Sequence, residues 1–267
     1  MKKILLQFLT ILILFYACWF ALNQIDWMRL FKIEQITKKT EEKLGDLYWD
    51  ILQKTENEIK SDSIITKVDI ILNHICKANY IERKNIKLHI LKKDEINAFA
   101  LPNNHLVIYS GLIEECENEA EISGVLCHEI AHMEKQHVIK KLGKEVGLAV
   151  LISMTTGNGN GEVAKRTLKL LSSTAYDRKL ETEADLTAAD YLIKANINPE
   201  PFANFLFRLA KNEKKLPKQV FWISTHPDSE ERSLKIIEYI KNKEIVKDSL
   251  LSSEEWKSLK EHIKHTE

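Results

Sequence analysis

The residues best suited to chemistry lie in the segment His128–His132, which reads His-Glu-Ile-Ala-His. Residues four apart in a helix lie one turn apart on the same face, so both imidazoles can reach one metal ion. Glu129 is rotated by about 100° from His128 and can reach a water bound to that metal. Zinc binds neutral imidazoles and keeps an open position at catalytic sites, where its water is acidified. The spacing therefore predicts one Zn²⁺ ion per chain, with Glu129 within reach of a water bound to it.

The surroundings of this motif favour a helix and argue against a chance match. Asn118 can cap the helix with Glu121 three residues later, which is a common helix start. An apolar stripe at helical spacing follows, formed by Ile122, Leu126, Ile130 and Met133. Roughly 0.03 such motifs are expected by chance in a random chain of this length and composition. A structural histidine pair that binds no metal is therefore the weaker interpretation.

A second segment contains a candidate for the third metal ligand. One class of zinc peptidases needs Gly and His three and six residues after the second histidine, but Lys135 and Val138 occupy those positions. Another class takes a glutamate from a second helix and an aspartate one turn later. Glu181 and Asp185 have this spacing within an apolar run, where a carboxylate needs a partner. Glu183 points about 200° away from Glu181 and is predicted to be a solvated helix charge.

Taken together, the motifs resemble those of the HtpX/BepA/Oma-type zinc metalloendopeptidases, membrane-associated members of the gluzincin clan that includes the CAAX prenyl proteases. The resemblance extends over about residues 86–240, with the motifs in the order typical of that family. The segments that carry it are Asn97–Pro102, Val107–Leu112, His128–His132 with His137, Arg178–Asp185, and Thr225–Pro227 followed by Arg232.

The resemblance implies a complete metal site. The residues that it assigns to zinc binding are His128, His132 and Glu181. It implies that Glu129 is the general base, which takes a proton from water and passes it to the leaving amine. It also implies that Asp185 and Arg178 lie next to the ligands and support them.

Further roles are implied outside the metal site. His226 is expected to act in catalysis by approaching the metal or the developing oxyanion, although an exposed loop histidine before a proline is the alternative. The edge of a hairpin is expected to receive substrate as an added strand. Asn97, Ala98 and Phe99 would contact the substrate there, whereas ordinary turn chemistry is the alternative for Asn97.

Short strands must position this hairpin ahead of the metal-binding helix. Residues 86–91, 98–101 and 106–109 have alternating or β-branched character, and Pro102–Asn104 is typical of a turn. The remainder is helical in pattern. We therefore expect a mostly helical α+β fold with a gluzincin-type core over residues 86–245. In that core, a small antiparallel sheet of about three strands packs on the active-site helix.

The N-terminal segment is expected to lie in a membrane. Ile4–Leu22 carries no charge and would form a helix of about 28 Å, close to the thickness of a bilayer core. Residues 1–22 are therefore predicted to be an uncleaved transmembrane signal-anchor, with signal cleavage or lipoprotein processing at Cys18 as the alternatives. Lys2 and Lys3 precede the segment, which favours a single-pass protein with its catalytic domain outside the cytoplasm. In a Gram-negative bacterium that side is the periplasm.

Composition limits the remaining functions. The chain has 267 residues, and its 39 Lys+Arg balance its 39 Asp+Glu, so no general field attracts nucleic acid. The 44% hydrophobic content is sufficient for a buried core. Residues 23–85 are predicted to be a helical connector and residues 246–267 a helical tail. Oligomeric state and disulfide status stay open.

Two functional hypotheses follow. The first is a membrane-anchored zinc endopeptidase that cleaves unfolded or extended polypeptides, acting on misfolded or membrane-proximal proteins. The second is a noncatalytic, zinc-stabilised binding or chaperone-like module that presents a sheet edge to client proteins. The second would be favoured if His226 permanently closed the coordination sphere. The physiological substrate and the cleavage preference are not predicted.

Overall fold

The computed structural model describes residues 2–24, 38–156, 161–212, 221–245 and 249–266. The helices are α1 (Lys2–Gln24), α2 (Lys38–Thr55), α3 (Asp62–Ala78), α4 (Ser110–Glu115), α5 (Glu119–Glu134), α6 (His137–Val146), α7 (Leu148–Thr155), α8 (Gly161–Ser173), α9 (Arg178–Lys194), α10 (Glu200–Asn212), α11 (Phe221–Thr225), α12 (Ser229–Ile240) and α13 (Ser253–His265). The strands are β1 (Lys87–Leu91), β2 (Ala98–Leu101) and β3 (His105–Tyr109). The predicted α+β class with mostly helical content is confirmed.

The sheet is mixed, with strand order β1-β3-β2. β2 and β3 form the predicted antiparallel hairpin, in which Leu101 pairs with His105. β1 instead runs parallel to β3, so the prediction of an antiparallel sheet is wrong for this pair. The connection 92–97 can reach about 20 Å when extended, whereas crossing two strand spacings takes only about 10 Å. The connection therefore leaves room for one strand between β1 and β2, and β3 occupies that central position.

The tip of the hairpin is held against α2. Its two turn asparagines adopt left-handed backbone conformations, with φ of 61° at Asn103 and 55° at Asn104, which asparagine tolerates well. The side-chain amide of Asn103 donates a hydrogen bond of 2.9 Å to the Asp46 carboxylate. Gly45 approaches so closely that an added Cβ would lie 2.1 Å from the Pro102 carbonyl oxygen. This close approach sets the position of the turn and therefore of the end of β2 that precedes it.

The helix that carries the metal-binding motif, α5, lies at the centre of the fold. Its first turn is capped as predicted, because Oδ1 of Asn118 accepts a 3.1 Å hydrogen bond from the Glu121 backbone N–H. The helix is buried along most of its length. It packs against α9, α10 and β2. The sheet therefore lies on the predicted active-site helix, and α9 lies beside it.

The approach between α5 and α10 depends on the absence of a side chain at Gly124. A Cβ added there would lie 2.3 Å from Cβ of Phe202. Separations below 3.0 Å force one of the two helices to move. Gly124 is therefore a packing residue of the helix pair, despite the cost of glycine within a helix.

The segment predicted to lie in the membrane forms the N-terminal helix α1. α1 spans 23 residues. Across the described stretches of the chain, no helix combines the length and the apolar character that crossing a bilayer requires. The predicted transmembrane anchor therefore stays a prediction.

At the C-terminal end, α13 buries Trp256, Leu259 and Ile263 and packs on α3 and α4.

The predicted division of the chain is not tested by these elements. The connector predicted at 23–85 contains α2 and α3, and its residues 25–37 lie outside the described residues. Residues 246–248 of the predicted tail lie outside them as well. The boundaries at residues 22, 85 and 245 stay predictions.

We predict that Gly124→Ala lowers the free energy of unfolding by about 1–2 kcal/mol. Overpacking against Phe202 costs about 1–3 kcal/mol, which outweighs the gain of up to about 1 kcal/mol in helix propensity. Urea denaturation followed by circular dichroism measures the difference. Gly161→Ala is the matched control, because no heavy atom lies within 4 Å of a Cβ added at Gly161. Equal stability of the two variants would contradict this account of the α5–α10 contact.

Candidate active site

Two histidines on successive turns of α5 face the same point. The Nε2 atoms of His128 and His132 lie 2.9 Å apart, and both side chains are fully buried. This arrangement follows from their spacing of four residues, because side chains so spaced lie on one helix face. Burial, followed by the neighbouring His128, lowers the pKa of His132 well below its ordinary value. His132 is therefore neutral, as a metal-ligating imidazole must be.

Glu181 enters the same point from the first turn of α9. Its Oε1 lies 3.4 Å from Nε2 of His132, and its Oε2 lies 3.6 Å from Nε2 of His128. Burial by itself would raise the pKa of this carboxyl, but His226 and Arg232 outweigh it and hold the pKa well below its ordinary value. Glu181 is therefore an anion inside the core.

His226 completes the group from the residue that follows α11. Its Nδ1 lies 3.2 Å from Nε2 of His128 and 3.0 Å from Oε1 of Glu181. The side chain is buried, and its backbone N–H donates a 2.8 Å hydrogen bond to the Trp222 carbonyl. An exposed loop histidine, the alternative raised by the sequence, does not describe this residue.

These four side chains fit a zinc ion. Each offers one ligand atom, and the four atoms lie within 4.8 Å of one another. Four ligands at about 2.0–2.1 Å from a tetrahedral zinc ion would be spaced by roughly 3.3–3.4 Å. The spacings given above, which join ring nitrogens to one another or to either Glu181 oxygen, are 2.9–3.6 Å and lie around that value. Three buried imidazoles and one buried carboxylate, with ligand atoms this close together, are a donor set that suits zinc.

Support for the ligands comes from Asp185 and Arg232. Nδ1 of His128 lies 3.0 Å from Oδ1 of Asp185. Arg232 donates hydrogen bonds of 2.8 and 2.7 Å to the two Asp185 oxygens, and its Nη1 lies 3.0 Å from Oε2 of Glu181. Burial alone would raise the pKa of Asp185, but Arg232 and then His128 hold it below its ordinary value. Arg232 therefore joins Glu181, a candidate metal ligand, to Asp185, the partner of His128.

Arg178 does not reach this network. Its side chain is 76% exposed and pairs with Asp228, with Nε to Oδ2 at 2.8 Å. The supporting arginine is Arg232, which lies six residues after His226 in the third motif of the chain. The resemblance assigned this role to Arg178, and the available signal for Arg232 was its place after the Thr225–Pro227 motif.

Glu129 lies beside the four-residue cluster with both carboxylate oxygens engaged. Oε2 accepts a 3.0 Å hydrogen bond from the Ala100 N–H of β2. Oε1 accepts a long hydrogen bond of 3.4 Å from Nε1 of Trp222 and lies 3.4 Å from Nε2 of His226. The carboxylate is therefore oriented by a strand on one side and by the α11 segment on the other.

Aromatic and cationic groups that the sequence analysis did not select surround the cluster. The ring of Tyr176 lies over His132, with centroids 4.2 Å apart, and stacks on His226 at 5.6 Å. Nζ of Lys141 lies 4.1 Å from the Tyr176 ring, and burial lowers the pKa of Lys141 to about 8. In the sequence, Tyr176 and Trp222 have no feature that separates them from ordinary core residues.

The residues expected to contact substrate are buried. Asn97, Ala98 and Phe99 are at most 2% exposed. β2 packs against α5 and α8, and the short α7 packs on α2 and α6 rather than over the cluster. The outward-facing Ala100 N–H is already bonded to Glu129. In this arrangement the cluster and the edge of β2 are both closed to solvent.

The fold and this site define a metallopeptidase: two imidazoles from one helix, a glutamate between them and a carboxylate from a second helix. The chain belongs to peptidase family M48, whose family model matches residues 66–240. The matched region contains all the elements that carry the site, from β1 to α12. The resemblance noted from the motifs is therefore confirmed.

Several curated proteins are similar to this chain. It is 26% identical over 184 residues to the mitochondrial metalloendopeptidase OMA1 of Schizosaccharomyces pombe, covering 68% of this chain and 55% of that protein. It is 25% identical over 200 residues to the beta-barrel assembly-enhancing protease of Yersinia pestis, covering 69% and 40%. It is 31% identical over 156 residues to the metalloprotease LoiP of Escherichia coli, covering 56% and 60%. The chain thus spans less than two thirds of each of these relatives.

We predict that Arg232→Leu destabilises the fold by about 3–5 kcal/mol at neutral pH, because Asp185 and Glu181 keep buried charges without their cation. Arg178→Leu is the matched control, and its exposed pair with Asp228 is worth at most about 1 kcal/mol. Denaturant unfolding of both variants measures the difference.

The deficit of Arg232→Leu should shrink as the pH falls. In the wild type the pKa of Asp185 lies below its ordinary value of 3.8, so the stability that it contributes is present above that value and is lost below it. Without Arg232, burial raises the pKa of Asp185, so the variant protonates this group at a higher pH and loses its unpaired charge. A deficit that is constant from pH 7 to pH 4 would contradict the assigned network.

Proposed function

We propose that the protein is a zinc-dependent endopeptidase that hydrolyses peptide bonds in unfolded or extended polypeptides. The observation that carries this proposal is the convergence of His128, His132 and Glu181 next to the doubly hydrogen-bonded carboxylate of Glu129. Family membership and three relatives named as metalloendopeptidase or protease support it. Zn²⁺ is proposed as the ion because the donors are two or three imidazoles and a carboxylate.

The proposed chemistry divides between the metal and the protein. His128, His132 and Glu181 would hold the zinc ion, which when bound polarises the scissile carbonyl and acidifies water. Glu129 accepts the proton of the attacking water at one carboxylate oxygen and delivers it to the leaving amine. The Ala100 N–H and the Trp222 indole N–H keep the carboxylate in the orientation that both transfers need.

His226 is proposed to act at the same centre. Its Nδ1 faces the ligands, and its Nε2 lies 3.4 Å from Glu129. A proton on Nε2 would be donated to Oε1 of Glu129 and would orient that oxygen. Nδ1 would then carry the lone pair and face the metal-binding point, whereas the other tautomer, with its proton on Nδ1, would donate to a developing oxyanion.

Substrate entry requires a change from the arrangement described above. The four-residue cluster is buried, and so are Asn97, Ala98 and Phe99. A polypeptide therefore reaches them only after part of the structure packed on β2 has moved. An extended chain could then add to the edge of β2 through backbone hydrogen bonds. We propose misfolded or membrane-proximal proteins as substrates, because misfolded chains expose extended segments and the proposed N-terminal anchor would hold the catalytic core near the bilayer.

The proposed location is a membrane surface, with the chain held by residues 1–22. The support for this is the uncharged run Ile4–Leu22 and the two lysines ahead of it. The catalytic core would then lie outside the cytoplasm, within reach of polypeptides near the bilayer.

One observation favours the noncatalytic alternative. His226 is buried with Nδ1 in the cluster, which gives four protein ligand candidates, as in closed structural zinc sites. The oriented carboxylate of Glu129 argues against it, because a structural site has no use for a base. Membership of a peptidase family argues against it as well.

We predict that Glu129→Gln reduces kcat for peptide cleavage by about 10²–10⁴-fold, while about one zinc ion per chain remains bound. Glutamine keeps the size of the side chain and an acceptor for the Ala100 N–H but cannot take a proton. Cleavage of casein by the purified full chain, together with metal analysis, measures both quantities.

Two results would contradict the proposed function. Equal cleavage by wild type and Glu129→Gln would eliminate the assigned base. Zinc that is retained by the wild type but lost in His226→Ala, combined with absence of cleavage by the wild type, would establish the structural site of the alternative. Under the proposed function His226→Ala keeps its zinc, because His128, His132 and Glu181 are sufficient.

We predict that the full chain stays in the membrane pellet after an alkaline carbonate wash. Replacing Leu12 and Leu14 by Asp should release it, because a charge at the centre of a spanning helix costs about 3 kcal/mol. Leu234→Asp is the matched control, since Leu234 is an exposed leucine on α12. A reporter that folds only outside the cytoplasm, fused after Glu267, should be active. Release of the wild type, or an inactive reporter, would overturn the anchor or its orientation.

A further inference from the structure

The outer nitrogen of His132 has a specific partner. Its Nδ1 lies 3.0 Å from Nδ1 of His137, the first residue of α6, and the two nitrogens share a hydrogen bond. His137 is fully buried. The left-handed conformation of Gln136, with φ of 56°, turns the chain sharply between α5 and α6 and brings this ring back beneath His132. The contact is therefore built by the turn between the two helices.

The direction of this hydrogen bond follows from the role of His132 as a ligand. A neutral imidazole that offers the lone pair of Nε2 to a metal carries its proton on Nδ1. His132 therefore donates, and Nδ1 of His137 accepts. His137, also neutral, must then carry its own proton on Nε2.

The proton on Nε2 of His137 faces Glu183. Oε2 of Glu183 lies 3.4 Å from this nitrogen, which makes no regular hydrogen bond with the described residues. Glu183 also lies 3.3 Å from Nζ of Lys135, and its side chain is 45% exposed. Helical spacing predicts Glu183 to be a solvated charge, but one of its oxygens is directed at the buried His137.

We propose that His137 and Glu183 are positioning residues that set the orientation and donor strength of His132, through the relay Glu183–His137–His132. The proposal rests on the proposed function, in that it takes His132 as a metal ligand. The relay parallels the support of His128, whose Nδ1 lies 3.0 Å from the buried Asp185 carboxylate. One ligand thus has a carboxylate directly behind it, and the other reaches a carboxylate through a second imidazole.

The relay would affect how strongly His132 binds a metal ion. A carboxylate behind a ligating histidine fixes its tautomer and ring orientation and raises its basicity, and loss of such partners typically weakens metal binding by about 10–100-fold. Because Glu183 is half-exposed and shared with Lys135, its contribution should be smaller than that of His137.

The test measures zinc affinity by competition with a chelator of known affinity, using the full chain. His137→Phe keeps an aromatic ring but removes the acceptor for His132, and should weaken zinc binding by about 10–100-fold. His137→Asn places an amide oxygen near the former Nδ1 and should restore most of the affinity. Glu183→Gln should weaken binding by about 3–10-fold. Glu238→Gln is the matched control, because Glu238 is an exposed carboxylate on α12 that pairs with Lys241, and it should change nothing.

A second readout is independent of folding changes in the variants. Histidine nitrogen NMR of the zinc-loaded wild type should show the proton of His137 on Nε2 and that of His132 on Nδ1. A proton on Nδ1 of His137, or unchanged affinity in His137→Phe and Glu183→Gln, would overturn the relay. A wild type that binds zinc but cleaves no polypeptide would refute only the proposed function, since the relay is read from affinity. A wild type without zinc affinity would refute both.

Discussion

The buried guanidinium of Arg232 is the cation on which the assembly of this site depends. The carboxylates of Glu181 and Asp185 are almost completely removed from water, a loss of hydration that destabilises a fold unless each charge is paired. Arg232 contacts both carboxylates and donates a 3.0 Å hydrogen bond to the carbonyl of His226. It therefore connects α9, α12 and the end of the α11 segment, so the relative placement of three helices is tied to one ion-pair network.

The ring nitrogens on the inner side of the cluster also need a positively charged partner. His128, His132 and His226 direct ring nitrogens toward one another at distances of about 3 Å, and hydrogen bonds among them cannot satisfy every lone pair. Burial lowers the pKa of His132 and of His226, so at neutral pH the permanent positive charge beside Glu181 is that of Arg232. A divalent cation held by His128, His132 and Glu181 would satisfy these lone pairs, and Arg232 pairs with Glu181 from the other side.

The parts of the site that follow from local geometry could be predicted from the sequence, and the parts that follow from tertiary packing could not. The spacing of His128 and His132 is a property of one helix, and the capping of α5 by Asn118 is likewise local. The choice of Arg232 over Arg178 depends on how α12 packs on α9, and the parallel pairing of β1 depends on which side of β3 the chain passes. In the sequence, Trp222 is only a large apolar side chain. It has a role in the site because α11 places its indole N–H within hydrogen-bond distance of Glu129.

The hydrogen bond between the Ala100 amide and Glu129 joins two tasks in one backbone unit. β2 is the proposed docking strand, and the same strand aims the proton acceptor. A guest polypeptide that paired one residue out of phase would present the wrong face of each residue and strain the amide that holds the carboxylate. If substrate docks there as proposed, correct alignment of the guest and correct aim of the base would be a single condition. Such selectivity would depend on the phase of main-chain pairing and would leave the side chains of the guest free to vary.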